Sequence, residues 1–328
     1  MIGRQNLTSL FLALGLALPL AVACGSDGDD DGGTATPEPA TDAPTPTEAP
    51  PTPTPVPPMD TWQKMTTLAI ASESGGLDID GDGGKDNGIY DALDSIASSL
   101  TEAANAGIDA QVDAGVLTQQ QGNALKQVAA GIIEGVVSVD TINNALATNI
   151  EDATGFIAYN LKGSGSSFTI FYWQADAQAG GEVIVPTDQV GEMSGSEDPR
   201  SGSVMFGPGE FELGAVIEIP ATPPSECQTI DLTFPVQDAL TKLEYDETLT
   251  QDALTGGGIE IVALTALVEQ LVGTLVDAGV PIEDPQAVID GAEASLIAAS
   301  DIDCSTGDPC FSISLQFDAI TAVASTSN

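Results

Sequence analysis

Three patterns along the chain predict an α+β fold: an Ala-rich helical segment, then an antiparallel β-rich part with two packed helices and a C-terminal strand. Between residues 89 and 150 apolar side chains recur every three or four positions, the period of a helix with one buried face. From Gly155 the period changes to two, the signature of a pleated strand. Helical spacing then returns near 259–277 and 285–299, and Phe311, Ile313, Leu315 and Phe317 close the pattern by alternating with polar residues.

Residues 1–23 read as a secretory signal, with Arg4 in a positive n-region, an apolar run Leu7–Leu20 too short to span a bilayer, and small residues Ala21-Val22-Ala23 before the cut. Cys24 follows, then Gly25-Ser26 and an acidic run. Ala21-Val22-Ala23-Cys24 resembles the bacterial lipobox, with Ala21 where Leu is usual. The resemblance implies that Cys24 becomes the lipidated first residue of a bacterial lipoprotein facing outside the cytoplasm, in the cell envelope. Residues 24–58 are rich in Asp, Thr and Pro and almost empty of apolar side chains. Ordering them would cost entropy with no burial to offset it, so they read as a disordered, lipid-anchored stalk.

The folded part divides into a helical segment, 59–154, and a β-rich part, 155–328. Asp60–Glu73 reads as a short helix, because Asp60 is a capping residue and Trp62, Met65 and Ala69 share a helical face. Ile89–Ala106 is a stronger helix, with Ile89, Leu93, Ile96, Leu100 and Ala104 on one stripe. Thr118-x-x-Gln121 is a capping box for the next helix, and Asp140 is the expected cap of a third. Phe156–Tyr159 and Phe168–Gln174 are expected strands around a Gly/Ser turn. Further strands are expected at Glu182–Val185, Ser203–Phe206, Glu210–Ile219, Thr229–Phe234 and within Ala239–Thr248, punctuated by prolines. Gly256-Gly257-Gly258 reads as the end of a loop before a largely buried helix, and Asp284-Pro285 as the capped start of the following one.

Composition excludes several chemistries. Of 328 residues, 49 are acidic, 7 basic and none His, giving a net charge of −42. Such a chain repels nucleic-acid phosphates, and it offers no basic cluster to anionic lipid, so contact with membrane is expected through the N-terminal lipid only. Without His, Ser-His-Asp and Cys-His catalysis and His-ligated metal sites cannot be built from this chain. No Walker loop, dinucleotide fingerprint or Gly-x-Ser-x-Gly is present. Lys162 with Ser164 or Ser166 falls in a turn and reads as a solubilising group. The aromatic run Phe168–Trp173 reads as a strand buried on both faces, the alternative being a platform for a sugar or apolar ligand.

One motif carries chemistry. In Asp78-Ile79-Asp80-Gly81-Asp82-Gly83-Gly84-Lys85-Asp86-Asn87, alternating carboxylates and glycines allow a loop to close around one point, with hard oxygen ligands that suit calcium. The run resembles the calcium repeats of thrombospondin type 3 and, more loosely, an EF-hand loop. The resemblance implies Asp78, Asp80, Asp82 and Asp86 as ligands, with Asp91 or Asp94 from the next helix completing the shell. It departs from the first family in being single and free of Cys, and from the second in having Lys85 and Ile89 at the eighth and twelfth positions. Cys304 and Cys310 bracket a second acidic loop and are expected to pair in an exported protein, with Cys227 as the alternative partner for either. The whole layout is similar to uncharacterised secreted bacterial lipoproteins, from which no activity follows.

These readings converge on a non-enzymatic cell-surface lipoprotein, a calcium-stabilised structural or binding module of unknown ligand, whose partner could be a protein or a glycan. The other classes left open are an extracytoplasmic ligand-binding lipoprotein and a carboxylate-based hydrolase. Mass spectrometry of the mature protein is expected to find acyl chains on an N-terminal Cys24; an unmodified terminus contradicts the anchor.

Overall fold

The computed structural model describes residues 58–152, 155–177, 183–219, 228–245 and 249–325. The signal segment, Cys24, the stalk up to residue 57 and Cys227 lie outside the described residues. In chain order the elements are β1 (Met59–Ile70), α1 (Ile89–Asp113), α2 (Gln119–Val136), α3 (Val139–Asp152), β2 (Phe156–Ser164), β3 (Ser167–Ala177) and β4 (Val183–Gly195). There follow a short 3₁₀ turn (Pro199–Ser201), β5 (Ser203–Ile219), β6 (Gln228–Glu244), β7 (Leu249–Glu260), α4 (Ile261–Asp277), α5 (Pro285–Ala299), the two-residue β8 (Ile302–Asp303) and β9 (Pro309–Ala324).

β1 to β7 pair in chain order, and β9 pairs with both β7 and β1, so eight strands close into a mostly antiparallel, barrel-like ring. Within the ring each strand has a neighbour on both sides. Because neighbours are antiparallel, the end of β1 and the start of β2 lie at the same mouth, as do the end of β7 and the start of β9. The helices occupy these two connections, so all of them gather at one mouth of the ring. The helices and the strands share one continuous apolar core. Past Phe211 and Val236, β5 and β6 pair only with each other, forming a ribbon that extends beyond the ring. Its buried face, including Leu213, Ile217, Ile230 and Phe234, packs toward α2 and α3.

The ring is filled by aromatics. Tyr159, Tyr172, Phe156, Phe211 and Phe317 contact one another at ring-centroid distances of 5.2–6.2 Å. The two phenols are satisfied inside, Tyr159 by Thr250 and Tyr172 by Thr241, each at 2.8 Å, and Thr241 is bonded on to Thr255. Burial drives both phenol pKa values far upward, so these tyrosines stay neutral and structural. The aromatic run of β3 is split accordingly: Phe168, Ile170 and Tyr172 are fully buried, whereas Phe171 and Trp173 point to the other face and are half-buried. Trp173 lies 5.4 Å from Trp62 beside a second small cluster, Ile157, Ala158, Ala175, Ile184 and Ala322. That cluster forms where bulges bend β3 and β4 and the start of β4 pairs in parallel with the end of β9.

Several elements differ from the sequence expectation. Asp60–Glu73 is not a helix: its residues up to Ile70 belong to β1, and 71–73 lead out of the strand. A bulge between Met65 and Thr67 shifts the strand's phase, so the buried side chains Met65 and Leu68 fall three apart and imitate helical spacing. β5 and β6 are each one strand rather than two. Pro208 sits at a bulge of β5, where a missing N–H breaks no ladder bond, and the interruption of β6 is a bulge at Asp238, whose φ is +51°. The cap of α3 is Ser138, whose hydroxyl accepts the Thr141 N–H at 3.1 Å, rather than Asp140. The capping box at Thr118 and the Asp284 cap form as expected. α4 is less enclosed than its pattern suggests, with Val262 and Val276 exposed.

Gly256-Gly257-Gly258 is part of β7, not a loop. A Cβ on Gly256 would lie 2.2 Å from the Ile313 carbonyl oxygen, and one on Gly258 would lie 2.6 Å from the Cys304 sulfur. The triplet lets neighbouring chain approach closely. Gly256→Ala is expected to lower stability by about 1–3 kcal/mol through overpacking. Gly131→Ala, on the open face of α2 with nothing within 4 Å, is expected to raise it by about 0.5–1 kcal/mol. Urea denaturation of the two variants checks both signs.

Candidate metal centre

The acidic loop leaves β1 and returns to α1 across the outer face of β9. Two fully buried serines of that strand fasten it. The Ser314 hydroxyl accepts the Leu77 N–H at 2.9 Å and donates to the Asp86 carbonyl at 3.0 Å, and the Ser312 hydroxyl accepts the Gly88 N–H at 2.6 Å. Asn87, also buried, accepts the Ser314 N–H and donates to the Ala71 carbonyl at 2.7 Å. The Asp86 N–H to Leu77 carbonyl bond at 2.7 Å closes the neck. Ser312 in turn donates to the Asp301 carboxylate, whose other oxygen accepts the Ser312 N–H at 2.9 Å. That carboxylate occupies the space where residue 88 would carry a Cβ, at 2.3 Å, which accounts for glycine there.

Within the neck, each carboxylate turns back on the loop's own amides. Asp78 accepts from the N–H groups of Gly81 and Gly83, Asp80 from Asp82, Asp82 from Gly84, and Asp86 from Ile79 at 2.6 Å and Asp80 at 3.3 Å. Gly81 and Gly83 have φ values of +80° and +91°, a backbone conformation that glycine adopts without steric cost. These turns bring one oxygen each of Asp78, Asp80 and Asp86 within 4.8 Å of one another. This is the only group of three or more such ligands that converges among the described residues. Asp82 is not in the trio, and Asp91 and Asp94 lie exposed in the first turns of α1 and do not join it. Cys304 and Cys310 form a disulfide, with Cα atoms 5.7 Å apart. Burial holds the Asp86 carboxyl above its ordinary value, opposed by the Ile79 and Asp80 amides and reinforced by the carboxylates of Asp80 and Asp301.

Three oxygens on a glycine-rich loop suit a hard cation, and no nitrogen or sulfur ligand stands with them. No sequence signal marks Asn87, Asp301, Ser312 and Ser314 as supports of the site. The alternation of Ser312 and Ser314 with Phe and Ile suggests a solvent face, yet both serines are fully buried under the loop. An open cleft of about 680 Å³ lies elsewhere, over β4–β6, and includes Glu192 and Glu210, a directly opposed and exposed pair. No helix among the described residues is long and apolar enough to cross a membrane. No protein-family model, curated protein or solved structure matches the chain.

A raised carboxyl favours the folded state below the ordinary value, and that contribution is lost as pH rises through the raised one. Asp86→Asn keeps an oxygen for the Ile79 amide and removes the charge. With chelator present, the variant is expected to be the more stable protein at pH 7, with the gain vanishing as pH falls below 3.8. Urea midpoints across that range check it; a variant less stable than the parent at neutral pH contradicts it.

Proposed function

We propose that this protein is an exported, lipid-anchored, non-enzymatic surface module whose acidic loop binds calcium and is ordered by it. The observation that carries the reading is the convergence of the Asp78, Asp80 and Asp86 carboxylates within 4.8 Å. Like charges that close repel, and a divalent cation converts the repulsion into attraction. Calcium accepts six to eight oxygens in flexible geometry, so carbonyls and water can complete a shell begun by three side chains. The lipobox-like Cys24 and the Asp/Thr/Pro-rich segment support an anchor and spacer, and the Cys304–Cys310 disulfide suits an oxidising compartment outside the cytoplasm. The carboxylate hydrolase has less support, because Glu192 and Glu210, the opposed pair in the β4–β6 cleft, are both exposed.

Calcium at about 100 times its Kd stabilises a protein by about 2.7 kcal/mol when it binds only the folded state. Millimolar calcium is expected to raise Tm by several degrees, chelation to reverse the shift, and Asp80→Asn to reduce it. No shift in the parent protein, together with no heat on calorimetric titration, overturns the reading.

A further inference from the structure

Resting on the calcium reading of the acidic loop, we infer that the Cys304–Cys310 disulfide is a positioning support for that loop, so that the redox state of this pair sets the loop's order and its cation affinity. Cys304 and Asp86 are 218 residues apart in sequence, and their loops are joined in space by two routes. The first is apolar. Ile79, between the converging Asp78 and Asp80, packs on a small cluster made of Ile302, Cys304 and Cys310, separate from the main core. The second is polar: Asp301, three residues before Cys304, holds Ser312, and Ser312 accepts the Gly88 N–H at the loop's exit.

The disulfide loop is itself well fixed on its other sides. Ile302 pairs with Cys310, the Cys304 N–H donates to the Asp308 carbonyl at 2.9 Å, and the Ser305 N–H donates to the Asp238 carboxylate at 2.6 Å. Gly258 of β7 leaves room for the Cys304 sulfur. Ile79 therefore rests on a surface that is rigid while the S–S bond is intact. Both sulfurs belong to nearly inaccessible residues, 4% and 0% exposed, so the bond serves as a lasting support that reacts only when this corner opens. A dithiol reductant then breaks the S–S bond, delivers two electrons and two protons to give two thiols, and is itself oxidised to a disulfide. The reduced pair no longer ties residue 304 to residue 310, and Ile79 loses its fixed partner.

The test uses the parent protein, the double variant Cys304→Ala/Cys310→Ala, Ile79→Ala and the conservative Ile79→Val. Amide hydrogen exchange across residues 78–86 is followed without cation, and calcium affinity by calorimetry. The double variant and Ile79→Ala are expected to exchange faster in this loop and to bind calcium about tenfold or more weakly, the usual cost of losing a supporting contact around a metal. Ile79→Val is expected to retain slow exchange and affinity. A merely structural role would lower the urea midpoint and leave Kd unchanged. If the double variant does not fold, Ile79→Ala with its Val rescue decides. If the parent binds no calcium, the cation reading falls, and loop exchange alone decides the support. Unchanged loop exchange in Ile79→Ala overturns the inference.

Discussion

β9 is hydrogen-bonded along one edge to β7 and along the other to β1, so the ring cannot close until the last strand of the chain has paired with the first. Every other feature hangs on that closure. Its inward face supplies Phe311, Ile313, Leu315 and Phe317 to the common core. Its outward face supplies Ser312 and Ser314, the two hydroxyls to which the acidic loop is bonded. The same strand ends against β4 and carries β8 and the disulfide at its start. Pairing of segments so far apart in sequence costs loop-closure entropy, which the burial of a continuous core must offset.

Charge is the second constraint. With 49 acids and 7 bases, few carboxylates can find a cationic partner. Lys126 with Asp109 and Arg200 with Asp198 are the ion pairs formed among the described residues, and the Arg200 guanidinium holds Asp198 below the usual carboxylate range. Elsewhere the backbone takes the place of lysine and arginine. In the acidic loop six amide N–H groups are turned onto four carboxylates, spreading partial positive charge where side chains offer none. Such turns hold the carboxylates together without neutralising them.

The helices were legible because each carries its own signals: the capping box at Thr118, the Asp284-Pro285 start and the stripe of α1 are local features. The β2–β3 hairpin was legible for the same reason. The ring was not, because closure is a relation between β1 and β9 that no local period encodes. Bulges hid β1 and divided β5 and β6, since one inserted residue breaks a period of two. The acidic loop announced itself by residue type and spacing, but its membership depended on backbone turns: Asp82 caps Gly84 instead of joining the trio. The supports at Asp301, Ser312 and Ser314 lie more than two hundred residues downstream and resemble a solvated strand face until the loop is placed over them.

The central claim is that Asp78, Asp80 and Asp86 form one cation-binding point fastened to the outside of the closing strand. Crystals grown with calcium, with diffraction collected to show the ion's anomalous signal, test it most directly. The account predicts a single peak about 2.3–2.6 Å from an oxygen of each of the three carboxylates. Calcium absent from this loop in such crystals, with the three side chains directed apart into solvent, would contradict it.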